Sequence, residues 1–66
     1  MSEAIGAAAG KIWTYLDQNG EASINKLSTE TGLSKNDVLR GIGWLAKEDK
    51  LIFNNQGRVE TISLKP

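Results

Sequence analysis

Apolar residues recur at helical spacing in three stretches of the chain and change to a strand-like pattern near its end. Ile5, Ala9, Ile12 and Leu16 fall within one narrow sector of a helical wheel, which predicts a first helix over about 3–18. Ser2 is suited to cap it, Glu3 sits well in its first turn, and Asn19-Gly20 should end it. Glu21-Ala22-Ser23 then reads as a short extended link, with room for a strand of one or two residues. Ser23 caps a second helix of roughly 24–31, which carries Leu27, and Gly32 turns the chain just before Leu33. Ser34 caps a third helix, with Asp37 where a capping box usually holds Glu. Val38, Ile42 and Leu45 recur at i, i+4 and i+7 along it, and it should end near Glu48 or Asp49. Lys50–Phe53 reads as a strand, and Asn54–Gly57 as a turn of residues that accept positive φ. Arg58–Leu64 is a second strand with Ile62 and Leu64 on one face. The core nominated by these faces is Ile5, Ile12, Leu16, Leu27, Val38, Ile42, Leu45, Leu51 and Ile62.

A glycine-containing turn of three or four residues between two helices is the helix-turn-helix signal. Here that motif is followed by a hairpin, in the run GLSKNDVLRGIGWLAKEDKLIF. This run resembles winged-helix regulators, which show Gly-Leu-Ser before the recognition helix, spaced core residues along it, then a charged turn and an apolar strand. More narrowly, AGKIWTYL at 9–16 with IGWLAKEDK at 42–50 is similar to a small bacterial and archaeal family of stand-alone winged-helix proteins. The resemblance implies a mainly α fold with a small β-hairpin (α+β): three helices followed by a two-stranded wing, in a single domain over 1–66. It also implies a recognition helix at 35–48 and a wing around Asn54–Arg58. For function it implies a DNA-binding protein, a transcriptional regulator or a nucleoid-associated factor. The alternative is a protein-interaction module that keeps the fold without binding DNA.

Composition changes this picture in two ways. Sixty-six residues without a cysteine leave a thin core and no disulfide or thiolate metal site to support it. Oligomerisation is one remaining source of stability. Eight basic and eight acidic residues cancel, so the chain lacks the overall positive charge that often marks nucleic-acid binding. With neither His nor Cys, the commonest general base and the best nucleophile are missing. The acidic residues are scattered apart from Glu48-Asp49, and the glycines at 6, 10, 41 and 43 lie inside helices rather than in a phosphate loop. No enzyme activity, cofactor, metal or small-molecule substrate is therefore expected. The N-terminus lacks the positive region of a signal peptide, and no apolar run reaches a membrane span, so the expectation is a cytoplasmic protein.

Two surfaces remain as candidates. On the third helix, Asn36, Arg40, Gly43 and Lys47 lie opposite the core face. Asn pairs with adenine and Arg with guanine in the major groove of double-stranded DNA. Asn36 and Arg40 are one turn apart, Lys35, Lys47 and Arg58 could reach phosphates, and Gly43 leaves the face flat. Asp37, Glu48, Asp49 and Glu60 work against that use, because each repels the phosphate backbone. On the first helix, Gly6, Gly10 and Trp13 form a strip beside the core face. Two mid-helix glycines cost about 1 kcal/mol each relative to alanine, so a close neighbour is expected over them. Either another helix of the same domain packs there, or the same helix of a second copy does, as a homodimer with Trp13 across the interface. Trp44 lies about 120° from the centre of its helix's core face. It either covers the core edge or joins an interface.

Overall fold

The computed structural model describes the backbone of residues 2–66 and the side chains of residues 6–55 and 57–66. In chain order the elements are α1 (Ser2–Asn19), β1 (Ala22–Ser23), α2 (Ile24–Thr31), α3 (Lys35–Lys47), β2 (Leu51–Gln56) and β3 (Val59–Leu64). This is the three-helix, winged arrangement. The short link after α1 is a two-residue strand, and it adds to the hairpin to make an antiparallel sheet of order β1-β3-β2.

Local chemistry sets the helix ends. Gly20 takes φ 83° and its N–H donates to Leu16 O at 2.8 Å, which closes α1. Ser23 Oγ accepts from Lys26 N–H at 3.1 Å, capping α2. Gly32 adopts φ 76° at the other end, donating to Ser28 O. The turn that follows is fixed by side chains: Ser28 Oγ donates to Leu33 O at 2.7 Å, and Leu33 N–H donates to Thr31 Oγ1 at 3.3 Å. Ser34 Oγ accepts from Asp37 N–H at 3.1 Å. Only that half of the capping box forms, since the Asp37 carboxylate lies 3.8 Å from Arg40 instead. Asp is one methylene shorter than the Glu that normally completes the box.

Ile12, Leu16, Leu27, Val38, Ile42, Leu45, Leu51 and Ile62 are all buried, joined by Ala8, Ala9 and Ala22. Ile5, also nominated for this core, falls outside the described side chains. The close helix–helix approach occurs at Gly41. A Cβ there would stand 2.7 Å from Ile12 Cδ1, 3.1 Å from Ala9 N and 3.2 Å from Ala8 C. By contrast, a Cβ built on Gly6 or Gly10 meets no atom of another element within 4 Å among the described residues, so no described helix packs directly over them.

The hairpin turn is shorter than Asn54–Gly57. β2 continues through Asn54, Asn55 and Gln56, and only Gly57 and Arg58 form the loop. Gly57 has φ 67° while Arg58 stays at negative φ, the pattern of a type II′ turn. A glycine in that first position suffices for reversal, and the ladder from Leu51↔Leu64 to Gln56↔Val59 holds the turn-prone residues before it in strand. Glu21 Oε2 accepts from Asn54 Nδ2 at 3.1 Å and from Thr61 Oγ1, fastening the α1–β1 link to the hairpin.

Candidate nucleic-acid interface

Burying Val38, Gly41, Ile42 and Leu45 fixes which side of α3 faces outward. Asn36, Arg40, Gly43 and Lys47 are exposed on that outward side, and Lys35 is exposed at the first residue of the helix, about 60° from Val38 on the wheel. Space around Gly43 is open, with no described atom within 4 Å of a Cβ placed there. Arg40 is loosely engaged with Asp37 at 3.8 Å, and both side chains are more than half exposed. Such a pair contributes little stability, and a phosphate or base can displace it at low cost. Asp49 points its carboxylate at Lys65 Nζ, 2.7 Å away, which offsets one of the four acidic charges around this surface.

The sixth residue of the set is placed differently. Arg58 is exposed at the hairpin turn, where it borders a depression of about 480 Å³ with Ser23, Ile24, Asn25, Val59 and Glu60. Its neighbours there come from the end of β1, the start of α2 and β3, and none belongs to α3. The structure thus gathers four of the proposed DNA contacts on one face of α3, keeps Lys35 at the start of the same helix, and sets Arg58 apart from them. Two residues that were not assigned to this surface flank it: Leu39 is 51% exposed on one side and Trp44 41% exposed on the other. Leu39 lies about 100° from Val38 on the helical wheel, and that angle alone marks it as lying outside the core face.

Trp44 also borders a second surface. With Trp13, likewise 41% exposed, it lines an open groove of about 330 Å³ that includes Gly6, Gly10 and Lys50. The two tryptophans that stood at the margins of separate core faces therefore line one groove between α1 and α3. Among the described residues, no group of three or more acidic, histidine or cysteine side chains could hold a metal ion. No described helix is long and apolar enough to cross a membrane.

Comparison with known proteins settles the family. Residues 1–64 match the family described as Winged helix-turn-helix domain (DUF2582). The chain belongs to this winged helix-turn-helix family. The uncharacterized protein MJ1608 of Methanocaldococcus jannaschii is 41% identical to this winged-helix chain over 64 residues, covering 92% of this chain and 90% of that protein. Among solved structures, the solution structure of protein BT2368 from Bacteroides thetaiotaomicron matches with TM-score 0.87 and 31% identity, over 94% of this chain and 76% of that one. The crystal structure of the Zalpha domain from Carassius auratus PKZ in complex with Z-DNA matches with TM-score 0.80 and 26% identity, over 94% and 98% of the two chains.

Proposed function

We propose that this winged-helix domain is a DNA-binding protein acting in transcriptional regulation or nucleoid organisation, and that α3 is its recognition element. The observation that carries the reading is the outward face of α3, where Asn36, Arg40, Gly43 and Lys47 are exposed together, with Lys35 exposed at the start of the helix. The similar Zalpha domain bound to Z-DNA supports a nucleic-acid helix as the partner of this fold. In this reading Asn36 and Arg40 contact base edges, and Lys35 and Lys47 contact phosphates. Gly43 lets the duplex approach the helix backbone. Arg58, placed apart at the wing turn, makes a flanking phosphate contact.

Net charge sets the expected strength. A chain of zero net charge gains little from the general attraction that drives non-specific binding. Its affinity for random duplex should sit near or beyond the weak end of ~10⁻⁴–10⁻⁶ M. The test is a salt-dependent anisotropy titration against random, alternating and left-handed duplexes. Arg40→Ala should cost about 1–3 kcal/mol on a preferred site and relax preference at one position. Lys47→Ala should weaken binding evenly across sequences and reduce the salt slope by about one. If amide signals along α3 and residues 54–58 stay unmoved by every duplex at low salt, DNA is not the ligand.

A second reading is a protein-interaction module, and the α1–α3 groove favours it. Gly6 and Gly10 incur their helical cost with no described residue of another element within 4 Å of a Cβ built on either, and two half-exposed tryptophans stand beside them. A homodimer through Gly6, Gly10 and Trp13 is the simplest form of that reading. Under it, a protein partner moves the amides of Leu39, Gly43 and Trp44 while DNA does not.

A further inference from the structure

β2 is the outer strand of its sheet, and among the described residues only one of its edges is used. The two-residue turn makes Gln56 and Val59 a hydrogen-bonded pair, and in an antiparallel ladder such pairs recur at every second residue. Asn54 and Ile52 therefore turn their backbone groups toward β3. The bond from Lys65 N–H to Lys50 O, at 2.8 Å, keeps the same parity. Leu51, Phe53 and Asn55 must then turn their N–H and C=O groups outward. Apart from β3 on its other edge, no strand pairs with β2 among the described residues.

Edge strands are normally guarded by a charge, a proline, a bulge or a covering segment. β2, Leu-Ile-Phe-Asn-Asn-Gln, has no charge and no proline, and its register with β3 is unbroken. Phe53 is 46% exposed along it. We propose that this edge takes the β2 strand of a second copy of the chain in antiparallel pairing, joining the two sheets across a two-fold axis. The inference does not rest on the DNA reading. An uncharged edge of this length calls for an uncharged strand with outward groups at the same spacing, and β2 meets that requirement itself. Centring the pair on Phe53 sets Leu51 opposite Asn55 and Ile52 opposite Asn54, so the outward residues exchange about six hydrogen bonds. The two Phe53 rings then lie side by side on one sheet face. Charge selects the direction. Antiparallel pairing carries the Arg58 turn of one copy toward Glu48 of the other, whereas parallel pairing sets like charges together at both ends.

The test combines sedimentation equilibrium with amide hydrogen exchange of the full chain between micromolar and millimolar concentration. Self-association should slow exchange at Phe53 and Asn55 by about tenfold once nine-tenths of the chains are paired, while Ile52 and Asn54 are protected at every concentration. Asn55→Pro removes an outward N–H and leaves the β3 ladder intact, so it should abolish association with little change in melting temperature. Phe53→Lys should do the same by placing two like charges opposite each other. A monomer at millimolar concentration overturns the proposal. So does association that survives both β2 variants, and if Trp13→Ala then abolishes it, the contact belongs to the α1–α3 groove.

Discussion

Replacing Gly41 and Gly43 separately by alanine should move stability in opposite directions. Both lie inside α3, two residues apart, so each substitution gains up to about 1 kcal/mol of helix propensity. At Gly43 the new methyl meets no described atom, and that gain should appear nearly whole. At Gly41 the methyl would stand 2.7 Å from Ile12 Cδ1. Ile12 is fully buried, so its side-chain end has little room to move aside. The other two contacts are backbone atoms of Ala8 and Ala9, at 3.2 and 3.1 Å, and they yield only if α1 shifts as a body. Overpacking of this kind costs about 1–3 kcal/mol. Because propensity cancels between the two variants, their difference isolates this packing cost. At roughly 4–8 °C per kcal/mol for a domain this small, Gly41→Ala should melt at least about 4 °C below Gly43→Ala in far-UV circular dichroism. Urea midpoints with equal slopes should show the same order. If Gly41→Ala melts as high as Gly43→Ala, the close crossing of α1 and α3 is wrong. Gly43→Ala has a second use: a stabilised variant that binds duplex DNA more weakly would show that the open space is kept for a ligand.

Glu21→Gln should keep the hydrogen-bonding geometry to Asn54 and Thr61 but exchange a charged acceptor for a neutral one, and Glu21→Ala should lose both bonds; at this exposed site the alanine variant should cost about 1 kcal/mol, read by urea denaturation. Asp49 holds φ 59°, a conformation that costs a residue with a Cβ about 1 kcal/mol, less for Asp than for alanine, and its ion pair with Lys65 is largely exposed. Midpoints in urea should therefore rank Asp49→Gly at or above the parent and Asp49→Ala below it.

The elements were legible because the signals that define them are local. Caps at Ser23 and Ser34, left-handed glycines at 20 and 32, and the i, i+4, i+7 run of Val38, Ile42 and Leu45 each act within a few residues. What was not legible depends on where separate elements cross. Four glycines lie inside helices and look alike in the sequence, yet among the described residues only Gly41 meets a neighbouring helix. That distinction is set by the position at which α3 lies over Ala8, Ala9 and Ile12. The hairpin shows the same limit at shorter range. Asn54 and Asn55 have turn-forming side chains, but pairing with Thr61 and Glu60 outweighs that preference once Gly57 has reversed the chain. On α3, the wheel angle placed Asn36, Arg40, Gly43 and Lys47 on the side that the structure leaves exposed. It could not show that Arg58 would border α2, or that Trp13 and Trp44 would line one groove.

The electrostatics of the α3 face bear on what kind of DNA binding such a domain can perform. Its cations alternate with acids, and the two ion pairs differ in consequence. Lys65 holds Asp49 at 2.7 Å outside α3, which lowers repulsion of a phosphate without occupying any cation of the α3 face. Asp37 instead sits 3.8 Å from Arg40, so the residue best suited to read guanine is already partly engaged. Random sequence offers Arg40 only phosphate attraction, and Asp37 beside it opposes that attraction. A guanine in register offers two directed hydrogen bonds that Asp37 cannot match at its distance. The pair should therefore penalise non-specific contact more than specific contact. Asp37→Asn should raise affinity for random duplex more than for a preferred site, and so narrow the ratio between them. An equal gain on both, measured at one salt concentration, would mean that Asp37 acts only through net charge and that Arg40 reads no base.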